Sequence, residues 1–240
     1  MQSIISFPNR GPWGKSSWRG NCSGHVQKSL IEQFNPKLFV DVCEGSGTSR
    51  DVCRELGIDY VGLDIHSGFD FTKHSVIEQL PFLADTVFSH PPYHDMVKYS
   101  KEEGDISHCS SIQEFLYHSQ LMLMNQRQAT KEGGIYTTLI GDMKRNGSYH
   151  SFQADYLRMM PQEELLNVVI KAQHNMVSNN TQYRGNFIPI THEYLLIWKK
   201  KKMNIWQVCV DVAKTVNTVL ASTWQYLPKI FISFIGINTG

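Results

Sequence analysis

Apolar residues in this chain fall into short runs separated by polar stretches of helical length, and that alternation predicts the architecture. Phe39-Val40-Asp41, Tyr60-Val61-Gly62-Leu63-Asp64 and Thr86-Val87-Phe88 have the length and flanking turn residues of buried strands. Ile135 to Ile140, Leu166 to Ile170 and Glu193 to Trp198 complete the strand set. Between them, helices are predicted from about Ser23 to Phe34, stopped by Asn35-Pro36, and from about Thr48 to Leu56. A longer one runs from about Ser111 to Thr130, carrying Ile112, Phe115, Leu116, Leu121 and Leu123 and closed by Gly133-Gly134. Strands alternating with helices imply an α/β domain whose mostly parallel sheet is covered on both faces. No internal repeat or low-complexity tract interrupts it.

Sheets of this kind bind ligands beyond the carboxyl ends of their strands, and two such ends carry distinctive chemistry. The first is Asp41-Val42-Cys43-Glu44-Gly45-Ser46-Gly47-Thr48, where Gly45 and Gly47 let the backbone turn sharply and approach a ligand before a helix begins. A dinucleotide fingerprint requires a third glycine where Arg50 stands, so a nicotinamide cofactor is disfavoured. Asp64, at the end of the next strand, is an acid placed to bind both hydroxyls of a ribose. The second end is Ser89-His90-Pro91-Pro92-Tyr93-His94-Asp95-Met96. Its two prolines stiffen the turn and hold a carbonyl at a fixed aim, and Tyr93 offers a flat face on which a flipped base can stack.

Taken as a pair, these segments resemble the DNA amino-methyltransferases, of phage or mobile-element type, which methylate adenine N6 or cytosine N4 using S-adenosylmethionine. The family's cofactor motif, Asp-Pro-Phe-x-Gly-Ser-Gly-Thr, is matched by Asp41 through Thr48, with Val42 and Cys43 replacing proline and phenylalanine. Its catalytic motif is Asp, Asn or Ser followed by Pro-Pro-Tyr, matched by Pro91, Pro92 and Tyr93, with His90 at the polar position as a departure. Trp18-Arg19-Gly20-Asn21-Cys22-Ser23 resembles the segment that packs on the methionine end of the cofactor. Gly133 to Tyr136, Ile140 to Asp142 and Thr191 to Lys199 resemble later strands, so the similarity spans roughly residues 10 to 200. It implies a Rossmann-like class I methyltransferase fold with a mostly parallel seven-stranded sheet and an antiparallel edge hairpin.

The resemblance also implies roles. Asn21, Cys22, Ser23, Asp41, Gly45, Ser46, Gly47 and Thr48 would surround the cofactor, with Asp64 on its ribose and Asp70 at its adenine. The target base, adenine favoured and cytosine possible, would leave double-stranded DNA and stack on Tyr93 while the carbonyl near Pro91 accepts a hydrogen bond from its exocyclic amine. A neutral His90 has one acceptor nitrogen for the second amine hydrogen, whereas a protonated one has none. Alternatively His90 points inward and the protein is a catalytically weakened DNA-binding or regulatory relative. RNA or a small amine as acceptor is a third reading, though a stacking platform favours a planar amine. Asp95 either orients an imidazole or caps a helix. The chemistry requires no metal.

Composition narrows this picture only a little. A chain of 240 residues with 41% apolar content can bury one sizeable core, and the resemblance implies that this is a methyltransferase domain over 1–202, followed by an apolar, irregular appendage over 203–240. That appendage needs a fold-back, a partner or a second copy to cover it. No opening secretory segment and no uninterrupted bilayer-length run is present, so a cytoplasmic protein without a membrane span is expected. The five cysteines are odd in number and lack zinc-site spacing, so they read as reduced and structural. A formal charge of +1 requires any DNA-facing surface to be a local patch. Lys144 and Arg145 lie in a glycine-punctuated loop past a strand end, where they reach phosphate or simply solvent. Ser178 to Phe187, with Arg184, is amide-rich in the way of base-reading loops and also of ordinary hairpin loops.

Overall fold

The computed structural model describes residues 1–174 and 188–202. The chain divides into one unit over Met1–Lys201 and a second over Lys202–Gly240. The segment 203–240 and the predicted base-reading loop with Arg184 lie outside the described residues.

The elements are β1 (Ile4–Ser6), α1 (His25–Phe34), β2 (Leu38–Asp41), α2 (Thr48–Leu56), β3 (Asp59–Gly62) and β4 (Ala84–Ser89). They continue with α3 (Ile112–Ala129), β5 (Thr130–Ile140), β6 (Met143–Arg145), β7 (Ser148–His150), α4 (Phe152–Met159), β8 (Leu165–Ala172) and β9 (His192–Lys199). Seven strands form one sheet in the order β1-β8-β9-β5-β4-β2-β3, and β6 and β7 form a separate antiparallel hairpin. β9 is antiparallel to both β5 and β8, while the other neighbours run parallel, so β9 alone is reversed. The predicted antiparallel pair is β8 and β9. It stands one strand in from the edge, because the short β1 adds on outside β8.

The strands' two-residue period sorts their side chains onto opposite faces. Val40, Val87, Tyr136, Leu196 and Trp198 bury on the face covered by α3 and α4, with Phe115, Leu123, Phe152 and Tyr156. Phe39, Phe88, Leu139, Leu195 and Ile197 bury on the other face, under α1 and α2, with Val26, Leu30 and Val52. Tyr136 and Trp198 stack with ring centroids 5.4 Å apart, joining β5 to β9.

Helix boundaries follow local chemistry. α1 ends where Asn35 turns left-handed at φ 47° and donates its N–H to the Ile31 carbonyl, immediately before Pro36. Ser111 caps α3 by accepting from the Glu114 N–H at 3.1 Å. Gly133-Gly134 does not close α3 as expected. The helix already stops at Ala129, with the Thr130 hydroxyl donating to the Gln126 carbonyl at 2.8 Å. The two glycines instead lie inside β5, where its register against β4 shifts. No helix among the described residues is long and apolar enough to cross a membrane.

Candidate active site

β3 flanks β2 on one side and β4 on the other, so the connections diverge between β2 and β4 and open a crevice at their carboxyl ends. The two strands are locked there by the Val42 N–H donating to the Phe88 carbonyl at 3.0 Å. The glycine turn leaves from β2 and the His90 segment from β4. Between them lies a cleft of about 780 Å³ that opens to solvent, lined by Asn21, Cys22, Asp41, Gly45, Ser46, Thr48, Asp64 and Asp70 among others.

Each wall of this cleft has a physical reason for its shape. Gly45 (φ 52°) and Gly47 (φ 84°) hold left-handed conformations that L side chains rarely adopt. A Cβ on Gly45 would come within 3.1 Å of the Trp18 indole, another lining residue, so this is the point of close approach. A Cβ on Gly47 would meet the Arg50 guanidinium instead, and Gly47 does not line the cleft. It serves the turn into α2. The Asp41 carboxylate braces the same turn, accepting from the Cys43 N–H at 2.9 Å and from the Ser49 hydroxyl, and burial pushes its carboxyl up from 3.8 to about 7.

Asp64 closes the far side. Its Oδ2 accepts the Gly45 N–H at 2.8 Å, and its Oδ1 meets the His66 N–H at 2.9 Å and the His66 ring Nδ1 at 2.6 Å. Burial pushes the His66 pKa down, but the Asp64 carboxylate outweighs it and the net shift is upward. Asp70 accepts from the Thr72 N–H at 2.8 Å and from its hydroxyl. Gln27 lines the cleft almost fully buried, with its Oε1 unpaired among the described residues. Ser23 lies elsewhere: its hydroxyl donates to the Arg10 carbonyl at 3.2 Å, and it lines a second cleft.

That second cleft opens beyond His90, against Tyr93, Met96, Lys171 and Glu193. Gly20, Asn21, Cys22, His90 and Tyr99 line both clefts, so His90 stands in the wall between them. Its Nε2 is 2.9 Å from the Tyr93 hydroxyl, which in turn donates to Glu193 Oε1 at 2.7 Å. Glu193 Oε2 accepts from Lys171 Nζ at 2.6 Å. Burial pushes the His90 pKa down despite the Glu193 carboxylate, so the ring is neutral at pH 7. Burial drives Glu193 up, but Lys171 and the surrounding hydrogen bonds outweigh it and hold it below the usual glutamate range. The Tyr93 phenol is pushed well up and stays a neutral donor. Its ring lies over Gly141, where a Cβ would come within 2.6 Å of it.

The remaining motif residues are also fixed. Asp95 orients an imidazole, but that of His94, whose Nδ1 is 3.0 Å away and whose backbone is left-handed at φ 51°. Asp95 also forms an ion pair with Arg145, which ties the β6–β7 hairpin to the His90 loop. Lys144 is exposed on β6, opposite Tyr149. Cys22, Cys43, Cys53 and Cys109 are free thiols, all pushed upward by burial, to about 11 for Cys22 and Cys109 and about 12 for Cys53. None is a thiolate nucleophile at neutral pH.

Sequence reasoning missed Gln27, His66, Tyr99, Lys171 and Glu193 as site residues. Lys171 and Glu193 are cross-strand partners in the β8–β9 register, a relation visible only once the strands are paired. Each is a charge set in a mostly apolar strand, which is the signal the sequence offers.

This arrangement is a Rossmann-like α/β fold, with a mostly parallel seven-stranded sheet and a separate antiparallel hairpin. No protein-family model matches the chain, and no curated protein matches it in sequence. Solved structures similar to it include a candidate DNA modification methylase from Thermus thermophilus complexed with S-adenosyl-L-methionine, at 20% identity and TM-score 0.39, covering 56% of this chain and 54% of that one. TrmN from Thermus thermophilus matches at 13% identity and TM-score 0.41, over 76% of this chain and 50% of that one. TehB from Haemophilus influenzae matches at 12% identity and TM-score 0.44, over 74% and 62%. The chain spans about half the length of the first two of these structures.

Proposed function

We propose that the protein transfers a methyl group from S-adenosylmethionine to the exocyclic amine of a base flipped out of DNA, adenine N6 in preference to cytosine N4. The observation that carries this reading is the position of His90, in the wall shared by the glycine-turn cleft and the cleft bounded by Tyr93. A cofactor on one side and a base on the other would meet at that residue.

The cofactor cleft has donors and acceptors suited to an aminoacyl nucleoside. Gly45 permits close backbone approach, the Asp64 carboxylate retains acceptor capacity for a ribose hydroxyl, and the unpaired Gln27 Oε1 suits an ammonium group. S-adenosylmethionine supplies, when bound, an electrophilic methyl group on a sulfonium sulfur. The chain's own part is to position and polarise. Tyr93 presents a ring backed by Gly141, the Pro91-Pro92 segment fixes a carbonyl, and neutral His90 offers an acceptor nitrogen to an amine hydrogen. Lys144, Arg145 and Arg184 are the cations we assign to the DNA backbone.

The test is incubation of the full chain with methyl-labelled S-adenosylmethionine and, separately, duplex DNA, structured RNA and free amines, followed by nucleoside analysis. N6-methyladenine or N4-methylcytosine in the DNA supports the proposal. Label in RNA or small amines alone replaces the acceptor, and no transfer with intact cofactor binding leaves the weakened, DNA-binding relative.

A further inference from the structure

We infer that Lys171, Glu193 and the Tyr93 hydroxyl form a proton-ordered chain that holds the proton of His90 on Nε2 and so makes Nδ1 the ring's only acceptor. The reasoning is donor accounting. Lys171 has protons to give and no lone pair, so its 2.6 Å contact makes Glu193 Oε2 an acceptor and keeps the carboxylate ionised in a buried site. An ionised Glu193 has no proton to offer Tyr93, so across the 2.7 Å contact the phenol donates its single proton. The phenol oxygen then has only lone pairs for His90 Nε2 at 2.9 Å, and the proton between them must belong to the imidazole. Nδ1 makes no hydrogen bond among the described residues, and His90 itself lines both clefts.

The alternatives each fail on a named contact. A Tyr93 proton directed at His90 would leave Glu193 Oε1 facing a lone pair at 2.7 Å. A neutral Glu193 would contradict the ammonium on its other oxygen. An imidazolium would gain from Glu193 Oε1 at 4.0 Å, yet burial of the ring and the charge of Lys171 both oppose it. Lys171, Glu193 and the Tyr93 hydroxyl are therefore positioning groups that act through His90, and neither Lys171 nor Glu193 need touch a substrate. The inference rests on the proposed reading only for its use, since an amine acceptor at Nδ1 is what that reading requires.

Nitrogen-15 NMR of the histidine rings reads the tautomer directly in the full chain, with and without S-adenosylmethionine, and needs no turnover. His90, assigned by its loss in His90→Gln, is expected to show a protonated Nε2 and a bare Nδ1 with no averaging at pH 7.5. Tyr93→Phe should replace this with exchange-averaged signals and lower single-turnover methylation about tenfold, the loss expected for one hydrogen bond. Lys171→Met should average the signals in the same way, because Glu193 can then take up a proton, whereas Lys171→Arg should restore the fixed pattern. A protonated Nδ1 in the wild type, or unchanged ring signals in both Tyr93→Phe and Lys171→Met, overturns the inference. A fixed Nε2 proton in a protein that methylates nothing sinks the functional reading and leaves the relay standing. Methylation by a protein whose Nδ1 carries the proton does the reverse.

Discussion

Removing one member of the Lys171–Glu193 pair gives a stability change whose size and pH dependence both follow from burial. The two groups are only 9% and 6% exposed, and they meet at 2.6 Å. At that separation the attraction is about 6 kcal/mol for an effective dielectric near 20, against which the desolvation of both charges must be set. Lys171→Met keeps most of the apolar stem but strands the carboxylate, so a loss of about 3 to 5 kcal/mol is expected at pH 8. The stranded Glu193 has an escape, since burial without Lys171 raises its pKa and it can take up a proton. Protonation is easier by about 1.4 kcal/mol for each unit by which the pH is lowered toward that raised pKa. The penalty should therefore shrink by about 1 kcal/mol or more between pH 8 and pH 6, and Lys171→Met/Glu193→Gln should recover most of it. In the wild type the sign is opposite. Glu193 is held below the usual range, so its contribution is present above the ordinary glutamate pKa and lost as pH falls through the depressed one. Urea unfolding read by hydrogen exchange of β8 and β9 amides reports on this sheet rather than on the 203–240 segment. A single variant equally unstable at pH 8 and pH 6, or no more stable when Glu193 is also replaced, would refute the reasoning.

Four further outcomes are expected. Gly45→Ala should weaken S-adenosylmethionine binding at least tenfold in calorimetry, because it combines a φ of 52° with a Cβ 3.1 Å from the Trp18 indole; an unchanged Kd would remove Gly45 from the cofactor wall. Tyr93→Ala should lower methylation roughly ten- to hundredfold through lost stacking while cofactor affinity stays, and an equal loss of cofactor affinity would mark Tyr93 as structural. His90→Asn, which retains an acceptor, should keep more single-turnover activity than His90→Ala, and the wild-type rate should fall as pH drops below the ordinary histidine pKa, since the depressed ring then begins to protonate. An Ala variant at the wild-type rate would remove His90 from the chemistry. Asp41, pushed up to about 7, binds a proton in the fold that it releases when unfolded, so stability should decline as pH rises from 4 to 7; Asp41→Asn should flatten that decline, and an identical wild-type and variant pH profile would contradict it.

The fold was largely legible because its signals are local. Phe39 to Asp41, Thr86 to Phe88 and Ile135 to Ile140 are short apolar runs, and α2 begins and ends at the predicted Thr48 and Leu56 because left-handed glycines stand on both sides. β1 was not legible. Three residues with one buried side chain give no periodic signal, and only the neighbouring β8 makes them a strand. The glycine-turn side of the candidate site was legible through Gly45 and Asp64, whose spacing fixes a turn and a strand end and which both line the cleft. Gly47 could not be told apart from Gly45, because which glycine lines the cleft depends on where Trp18 and Arg50 fold back. Glu193 and Lys171 stayed hidden for a different reason: twenty-two positions apart, they become partners only through a register that no local pattern states.

The reversed direction of β9 has a consequence for how this chain can vary. The six parallel strands end on the side of the sheet where the clefts open, while β9 begins there and brings Glu193 to the second cleft from its start. Lys171 and Glu193 therefore stand at the two feet of the connection between β8 and β9, clamped across adjacent strands. The chain between Gln173 and Thr191 can therefore lengthen or shorten without shifting the groups that order the His90 proton. Grafting a foreign segment between Gln173 and Thr191, whose backbone N–H and carbonyl pair at 2.9 Å, would leave Lys171 and Glu193 in register.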